Sequence, residues 1–377
     1  MREIRMVDLQ SQYLNIKEEI DDAMRTVISS AAFIKGNEVG LFENELAEWL
    51  GVKHVISCGN GTDALQVALM ALNTEPGDEI ITSNFTFIAT AEVIALLKLK
   101  PVLIDPDPLT FNITAEAIER AVTPKTKAII PVHLFGQCAG MEEILALARD
   151  RGIAVIEDTA QATGAEYSFS DGSRVMAGTM GEIGCTSFFP SKNLGCFGDG
   201  GALFTSDDNL ASMIRSITNH GMTKRYYHDH IGINSRLDTI QAAILRVKLK
   251  HLHHYNQARQ ELALMYDNAF KDIDGIEIPG RNNRSTHIFH QYTIKTDASL
   301  RDRLREHLAG KEIPSMIYYP VPLHRQKAYS WLGYNSSSFP VTEKLTSTVL
   351  SLPMHTEMMN EEAGFIISSV IEFFKNS

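Results

Sequence analysis

A single lysine, Lys192, lies in a turn crowded with proline and glycine, in the stretch SFFPSKNLGCFGDGG (187–201). A lysine held among apolar side chains loses its proton more readily and becomes a nucleophile. The turn therefore favours an amine that reacts with a carbonyl carbon. A surface turn with an ordinary, hydrated lysine accounts for the same residues. The rest of the chain has to decide between these two interpretations.

A second candidate feature follows the apolar run HVISC (54–58), where GNGTDAL leads into a helical pattern. The backbone N–H groups and the dipole of such a helix start suit a phosphate group, and Thr62 adds a hydroxyl donor. Glycine-rich connections between a strand and a helix are common, so this signal is weak by itself.

A carboxylate and a hydroxyl stand at two further strand ends. Asp158 closes the run IAVIED (153–158), and Ser187 lies near the end of CTSFF (185–189). Asp158 can cap the next helix, or it can lie as an anion beneath a protonated heteroaromatic nitrogen. Ligands of open parallel sheets bind at the carboxyl ends of the strands. A phosphate cradle, a carboxylate and a constrained lysine at one such edge would suit pyridoxal 5′-phosphate.

The elements that must position these residues alternate between strand and helix. The predicted strands are 54–58, 79–83, 101–105, 128–134, 153–158, 185–189 and 202–206. They are unbroken apolar runs, which is typical of strands covered on both faces. We therefore predict an α/β fold with an open, mostly parallel sheet and helices on each side.

The pattern changes after Leu237, where residues 238–270 form one long helical stretch. This stretch leads to a segment with another strand (290–296) and two helices (299–309 and 361–375). We divide the chain into a large cofactor-binding α/β domain, 1–248, and a small C-terminal α+β domain, 249–377.

The composition limits the classes of function. The net charge of −11 argues against a nucleic-acid partner. No apolar run reaches the roughly 20 residues that a bilayer span needs, and the N-terminus lacks a signal-peptide pattern. The four cysteines form no CxxC pair and favour a reducing, cytoplasmic location. The histidines of HLHH (251–254) lack the i, i+4 spacing of a helical metal pair, so we expect no metal and no membrane association.

The chain resembles the DegT/DnrJ/EryC1/StrS family of nucleotide-sugar aminotransferases, which depend on pyridoxal 5′-phosphate (PLP). Their fold is PLP-dependent transferase fold type I, the aspartate-aminotransferase-like fold. The motifs that carry the resemblance stand in the family's order nearly from end to end. They are FIKGNEVGLFENELAEWLGV, GNGTDAL, SNFTFIATAEVI, IPVHLFGQ, VIEDTAQATGAEY, SFFPSKNLGCFGDGGALFT, GINSRLDTIQAAIL and YYPVPLH.

The resemblance implies roles for the residues that match these motifs. Lys192 would form the Schiff base with the cofactor and move the proton between substrate and cofactor. Asp158 would pair with the pyridine nitrogen. The other cofactor contacts that it implies are Gln161 near the ring hydroxyl, Phe87 on the ring face, Gly61, Thr62 and Ser187 at the phosphate, and Asn234 at the phosphate of the neighbouring subunit. The resemblance thus implies a homodimer with active sites at the interface, in which Tyr318, Tyr319 and His324 face the nucleotide-sugar.

The family aminates a keto group at C3 or C4 of a nucleotide-linked sugar, with L-glutamate as donor and 2-oxoglutarate as co-product. The segment KRYYHDHIGINSRLDTIQAAIL is most similar to enzymes that act on UDP-2-acetamido-2-deoxy-3-oxo-glucuronate for surface polysaccharide (lipopolysaccharide, O-antigen). Arg236 would then grip the uronate carboxylate and, in the other half-reaction, a glutamate carboxylate. A salt bridge at a subunit interface or between domains is the alternative role for Arg236.

Two other functions stay open. One is an aminotransferase for dTDP-3-keto- or 4-keto-6-deoxyhexoses, whose substrates lack the carboxylate. The other is a non-catalytic, PLP-binding regulatory protein, which would not need both Lys192 and Asp158.

Overall fold

Seven strands of the chain join in one sheet, in the order β1-β9-β8-β5-β4-β2-β3. The computed structural model describes residues 2–376. Within that range the strands are β1 (His54–Cys58), β2 (Glu79–Ser83), β3 (Lys100–Ile104), β4 (Thr126–Ile130), β5 (Ala154–Asp158), β6 (Glu166–Ser168), β7 (Arg174–Met176), β8 (Ile183–Ser187), β9 (Gly201–Thr205), β10 (Met222–Lys224), β11 (Tyr227–His228), β12 (Ile276–Glu277), β13 (Tyr292–Thr296) and β14 (Val349–Leu352).

Helices cover the sheet and continue beyond it. They are α1 (Leu9–Asn15), α2 (Lys17–Ser30), α3 (Asn37–Leu50), α4 (Gly61–Ala71), α5 (Ala89–Leu96), α6 (Ala115–Ala121), α7 (Met141–Arg151), α8 (Asp208–Ile217), α9 (Thr239–Phe270), α10 (Ala298–Gly310), α11 (Pro340–Thr348) and α12 (Asn360–Lys375). Short 3₁₀ turns lie at Leu134–Gly136, Leu323–Arg325, Lys327–Leu332 and Ser336–Ser338.

The large sheet is parallel apart from β9, which runs antiparallel to both β1 and β8. The prediction of an open, mostly parallel sheet is therefore confirmed. Three strands are shorter than the sequence suggested, namely β4, β5 and β13. β4 ends at Ile130 because Pro131 has no backbone N–H to continue the ladder.

Both faces of the large sheet are buried, which explains why its strands are continuous apolar runs. Ile80 packs with α4, α5 and α8 in one hydrophobic cluster. Its neighbour Ile81 packs with Ile118 of α6 and Ile144 of α7 in another. Successive residues of a strand point to opposite faces, so each buried isoleucine adds about 1.5–3 kcal/mol on its own side.

A smaller antiparallel sheet, β12-β13-β14, lies in the C-terminal part of the chain. Helix α9 reaches from one sheet to the other over about 48 Å. Leu245 and Leu252 of α9 belong to a cluster with α3 and β9, whereas Tyr266 and Phe270 pack against β13 and β14. The proposed domain division at 248/249 falls inside this helix and stays a prediction.

The structure bears on three expectations from the composition, which concern the cysteines, membrane spans and metal binding. The four cysteines are buried and free, and burial raises the pKa of Cys138 to about 12 and of Cys196 to about 11. Between residues 2 and 376, no helix is long and apolar enough to cross a membrane. Over the same residues, no group of three or more His, Cys, Asp or Glu side chains is arranged to hold a metal ion.

Candidate active site

The start of α4 provides hydrogen-bond donors at the carboxyl end of β1. The side chain of Asn60 caps the helix by accepting the N–H of Asp63 at 2.8 Å, and the first N–H groups of a helix have no partner within it. Ser187, at the end of β8, lies directly against Gly61, where an added Cβ would come within 2.7 Å of the Ser187 Cβ. Glycine is therefore required for this approach, which places the Ser187 hydroxyl beside the helix start.

Asp158 lies at the carboxyl end of β5, buried to 5% exposure. Its carboxylate accepts a hydrogen bond from Thr90 Oγ1 at 2.8 Å and another from the N–H of Ala160 at 3.1 Å. Burial raises the pKa of Asp158, and these hydrogen bonds with the charge of Lys192 act in the opposite direction. A cation placed against this carboxylate would hold it ionised.

Lys192 lies in the turn that follows β8. The turn is closed by hydrogen bonds from Lys192 N to Phe189 O and from Cys196 N to Phe188 O, both 2.8 Å. Burial lowers the pKa of Lys192 to about 8, and the charge of Asp158 works against that shift. Roughly half of the Lys192 amines are therefore neutral at pH 8.

Helix α9 holds this turn from behind through two buried polar side chains. Lys248 donates to the carbonyl of Gly195 at 2.7 Å. Asn256 accepts a hydrogen bond at 2.7 Å from Asn193, the residue after Lys192. Both contacts fix the backbone on which the reactive amine stands.

One cavity of about 640 Å³ collects most of the residues that the sequence singled out. Those lining it are Gly61, Thr62, Phe87, Asp158, Gln161, Ser187, Lys192, Tyr318 and Tyr319. A cavity of this size takes a small cofactor together with part of a substrate.

Gln161 and Tyr319 form a connected pair in the cavity wall. Gln161 accepts the N–H of Phe135 at 2.8 Å and donates to the Tyr319 hydroxyl at 2.9 Å. Burial raises the pKa of Tyr319, so the phenol keeps its proton and can donate onward. The ring of Phe87 stands 6.3 Å from that of Tyr319 and is 56% exposed, which leaves its face open to a flat ligand.

Three predicted site residues lie outside this cavity. Asn234 and Arg236 are exposed, and Arg236 lines a separate cleft with Lys35 and Arg215. His324 is buried, with Nδ1 2.8 Å from Asn84 Nδ2 and Nε2 3.1 Å from a Glu343 oxygen. One chain alone therefore does not bring Asn234, Arg236 and His324 to the cavity that holds Lys192.

The cavity also contains residues that no sequence motif assigned. Among them are Thr86, Thr90, Phe189, Ser191, Asp199, His290 and Gln291. Thr90 belongs to the motif SNFTFIATAEVI. Because a buried carboxylate such as Asp158 needs a hydrogen-bond donor, a hydroxyl in this motif was a candidate for that role. His290 and Gln291 come from the segment just before β13, and nothing in a periodic pattern connects that segment with the edge of the large sheet.

The residues present fit PLP. The start of α4 with Thr62 and Ser187 would hold its phosphate, Asp158 would hold its protonated ring nitrogen, and Lys192 would reach its carbonyl carbon. The raised pKa of Asp158 is the sign of a buried carboxylate suited to a cationic partner.

The parallel sheet, the cavity at its carboxyl edge and these donors define a PLP-dependent enzyme of fold type I. A sequence profile of the DegT/DnrJ/EryC1/StrS aminotransferase family matches residues 14–371. The chain belongs to this family, and it is a PLP-dependent sugar aminotransferase.

Three relatives match the chain over nearly its whole length. It is 45% identical to the pleiotropic regulatory protein of Geobacillus stearothermophilus, over 99% of each chain. It is 46% identical to the UDP-2-acetamido-2-deoxy-3-oxo-D-glucuronate aminotransferase of Pseudomonas aeruginosa, over 93% of this chain and 95% of that one. It is 44% identical to the UDP-N-acetyl-3-dehydro-α-D-glucosamine 3-aminotransferase of Acidithiobacillus ferrooxidans, over 97% of each.

Solved structures match the fold. A DegT/DnrJ/EryC1/StrS aminotransferase from Brucella abortus superposes with a TM-score of 0.93 at 41% identity, covering 98% of this chain and 99% of that one. The protein named ntda from Bacillus subtilis, solved with bound cofactor PMP, superposes with a TM-score of 0.88 at 30% identity. That match covers 96% of this chain and 82% of the other.

Proposed function

We propose that the protein transfers the amino group of L-glutamate to the keto group at C3 of UDP-2-acetamido-2-deoxy-3-oxo-glucuronate. The observation that carries the transamination is the meeting of Lys192, Asp158 and the start of α4 in one cavity. The similarity to the Pseudomonas aeruginosa enzyme supports the uronate substrate. On this proposal the enzyme works in the cytoplasm, and its 3-amino sugar is a precursor of a surface polysaccharide such as lipopolysaccharide.

The chain's own residues provide positioning and proton transfer. When bound, the cofactor supplies an electrophilic carbon and a ring that withdraws electrons. With the cofactor bound, the amine of glutamate would take the place of Lys192, and the freed Lys192 amine would remove the proton from the α-carbon of the donor. Water would release 2-oxoglutarate, and the amino group would stay with the cofactor. In the second half-reaction the keto oxygen of the sugar would leave as water, Lys192 would return a proton to C3, and the 3-amino sugar would leave. Asp158 stays ionised throughout. The hydrogen bond between Gln161 and Tyr319 holds both side chains in place in the cavity wall beside the reacting atoms.

We propose that a second copy of the chain completes each site. Among the described residues, Lys192 is the one lysine or arginine that lines the cavity, whereas the substrate carries a diphosphate and a carboxylate. Arg236 lies outside the cavity of its own chain, so Arg236 of the partner subunit would bind the uronate carboxylate, and Asn234 of the partner subunit the cofactor phosphate. Large apolar side chains that a partner would cover are exposed, namely Phe33, Ile34, Phe189, Phe197 and Ile231.

A neutral substrate is the second candidate. The Acidithiobacillus ferrooxidans relative acts by name on a UDP-linked 3-dehydroglucosamine, which lacks the carboxylate. dTDP-linked keto-deoxyhexoses lack it as well. The name of the Geobacillus relative gives the regulatory alternative its support. The meeting of Lys192, whose pKa burial lowers to about 8, with Asp158 and the start of α4 in one cavity favours catalysis.

Substitution of Arg236 separates the substrates. Loss of a charge-assisted hydrogen-bond pair to a carboxylate costs about 10- to 100-fold in binding. Arg236→Ala should raise KM for the uronate by this factor and leave KM for the neutral UDP-linked 3-keto sugar nearly unchanged. Arg215→Ala is the matched control, because Arg215 lines the same cleft but pairs with Glu43 at 3.0 Å. An equal rise for both sugars with Arg236→Ala would contradict the carboxylate contact.

A further inference from the structure

His290 belongs to the cavity wall and is used by none of the steps above. The residue is 6% exposed and lines the cavity together with Lys192 and Gln291. Over residues 2–376, Nδ1 of His290 is buried and has no hydrogen-bond partner. No hydrogen bond of Nε2 is seen among the described residues either. Because Nδ1 is buried and His290 lines the cavity, we infer that Nε2 is the ring nitrogen available to a ligand there. An imidazole in such a position has an unused donor or acceptor for a ligand.

Arg259 fixes the backbone that carries His290. Its guanidinium is buried on α9, and Nη1 donates to the carbonyls of Phe289 at 3.2 Å, His290 at 3.4 Å and Met354 at 3.0 Å. Asn193, next to Lys192, donates to the carbonyl of Ile288 at 3.2 Å. The segment before β13 is thus held both to α9 and to the turn that bears the reactive amine.

The surroundings of His290 decide its protonation. Burial lowers the pKa of His290 well below its ordinary value, and the positive charges of Lys192 and Arg259 lower it further. The ring is therefore neutral at physiological pH and carries one N–H. An N–H on the buried Nδ1 would have no acceptor, whereas an N–H on Nε2 can donate to a ligand.

We propose that His290 is a further substrate-binding residue, which donates an Nε2–H hydrogen bond to the α-carboxylate of the amino donor. This inference rests on the proposed transamination. A carboxylate only accepts hydrogen bonds, and the cavity's other basic group, Lys192, has to stay free to move the proton. A neutral donor binds the carboxylate without adding a second cation next to Lys192.

His287 offers a matched control. It has the same 6% exposure as His290 and lies three residues earlier. Its Nδ1 already accepts the N–H of Phe289 at 3.0 Å, its ring stacks on that of Phe289 at 3.9 Å, and it does not line the cavity.

Kinetics of the PLP-loaded enzyme test the contact. His290→Leu keeps the volume but removes the donor, and KM for L-glutamate should rise about 10- to 100-fold. KM for the keto sugar should stay within about twofold. His290→Gln, whose amide still donates, should recover part of the loss, and His287→Leu should leave both KM values nearly unchanged. An unchanged KM for glutamate with His290→Leu, or an equal rise for both substrates, would overturn the proposal.

Nitrogen NMR of the protein with ¹⁵N-labelled histidine rings gives a readout that does not depend on activity. The His290 signal, assigned by its loss in His290→Gln, should show the Nε2–H tautomer without titration between pH 6 and 8. It should shift on addition of glutarate, a dicarboxylate that cannot react. An Nδ1–H tautomer, a titration near pH 6.5 or indifference to glutarate would overturn the role of His290. A wild-type enzyme that never exchanges its amine with glutamate would instead reject the proposed function, whatever the NMR result.

Discussion

At the scale of single residues, burial makes Lys192 reactive. No hydrogen-bond acceptor in the described chain takes the amine of Lys192, and the nearby carboxylate of Asp158 raises its pKa where burial lowers it. The net pKa of about 8 leaves a useful neutral fraction near physiological pH, where an ordinary lysine with a pKa of 10.5 would be almost fully charged.

This predicts how the cofactor-free protein reacts with cyanate, which modifies neutral amines only. Because the ammonium loses its proton as the pH rises, modification of Lys192 should increase to half its maximum near pH 8. Asp158→Asn removes the carboxylate charge and should move that midpoint to lower pH. Peptide mass spectrometry separates Lys192 from Lys248, whose pKa burial also lowers to about 8. A midpoint near pH 10 in the wild type would contradict the role of burial.

At the scale of elements, α9 determines where the catalytic turn stands. Asn256 accepts from Asn193 at 2.7 Å and donates to the carbonyl of Thr163 at 3.3 Å. Asn256→Ala leaves buried groups without partners and should lower the free energy of unfolding by about 1–3 kcal/mol, measured by urea denaturation.

Gln257 is the control for this prediction. It is the next residue on the same helix, it is exposed, and its side chain bonds Glu261 one turn on. Gln257→Ala should change the free energy of unfolding by no more than about 0.5 kcal/mol. Equal losses in the free energy of unfolding would contradict this prediction. They would mean that the hydrogen bond between Asn256 and Asn193 adds no stability beyond the helix propensity of the residue.

The elements that the sequence predicted correctly are those with a strong local signal. The limits of β1 and β2 were predicted to the residue, because an unbroken apolar run between polar turns has one clear beginning and end. Within 238–270, the helix α9 begins one residue later than predicted. The residues Ile16, Ile20, Met24 and Val27 have helical spacing, and one helix, α2, follows Ile16 and contains the other three.

The sequence predicted the site residues that lie at or just after the ends of strands in the large sheet. It did not predict those that come from the segment before the small C-terminal sheet. Asp158 and Ser187 end strands, and Lys192 follows one, so the rule for parallel sheets located them. His290 reaches the cavity through the packing of β13 and α9, a long-range contact that a local pattern does not encode. The roles proposed for Asn234 and Arg236 require a second subunit and stay predictions.

At the scale of the whole molecule, the two-subunit site can be tested by mixing two variants, one without the reactive amine and one with weakened uronate binding. Lys192→Ala and Arg236→Ala chains are dissociated together, allowed to pair again, and assayed at low uronate concentration. Random pairing makes about half of the dimers mixed, each with one complete site, so about a quarter of wild-type activity should return. If Arg236 served its own chain, no site would be complete, and the mixture would show only the summed activities of the two variants.

The most direct test of the central claim is the visible absorbance of the PLP-loaded protein. L-Glutamate should remove the absorbance band of the bound cofactor, and UDP-2-acetamido-2-deoxy-3-oxo-glucuronate should restore it with formation of the 3-amino sugar. Lys192→Ala should lack both changes. A band that glutamate leaves unchanged, or that responds equally in Lys192→Ala, would contradict transamination through Lys192.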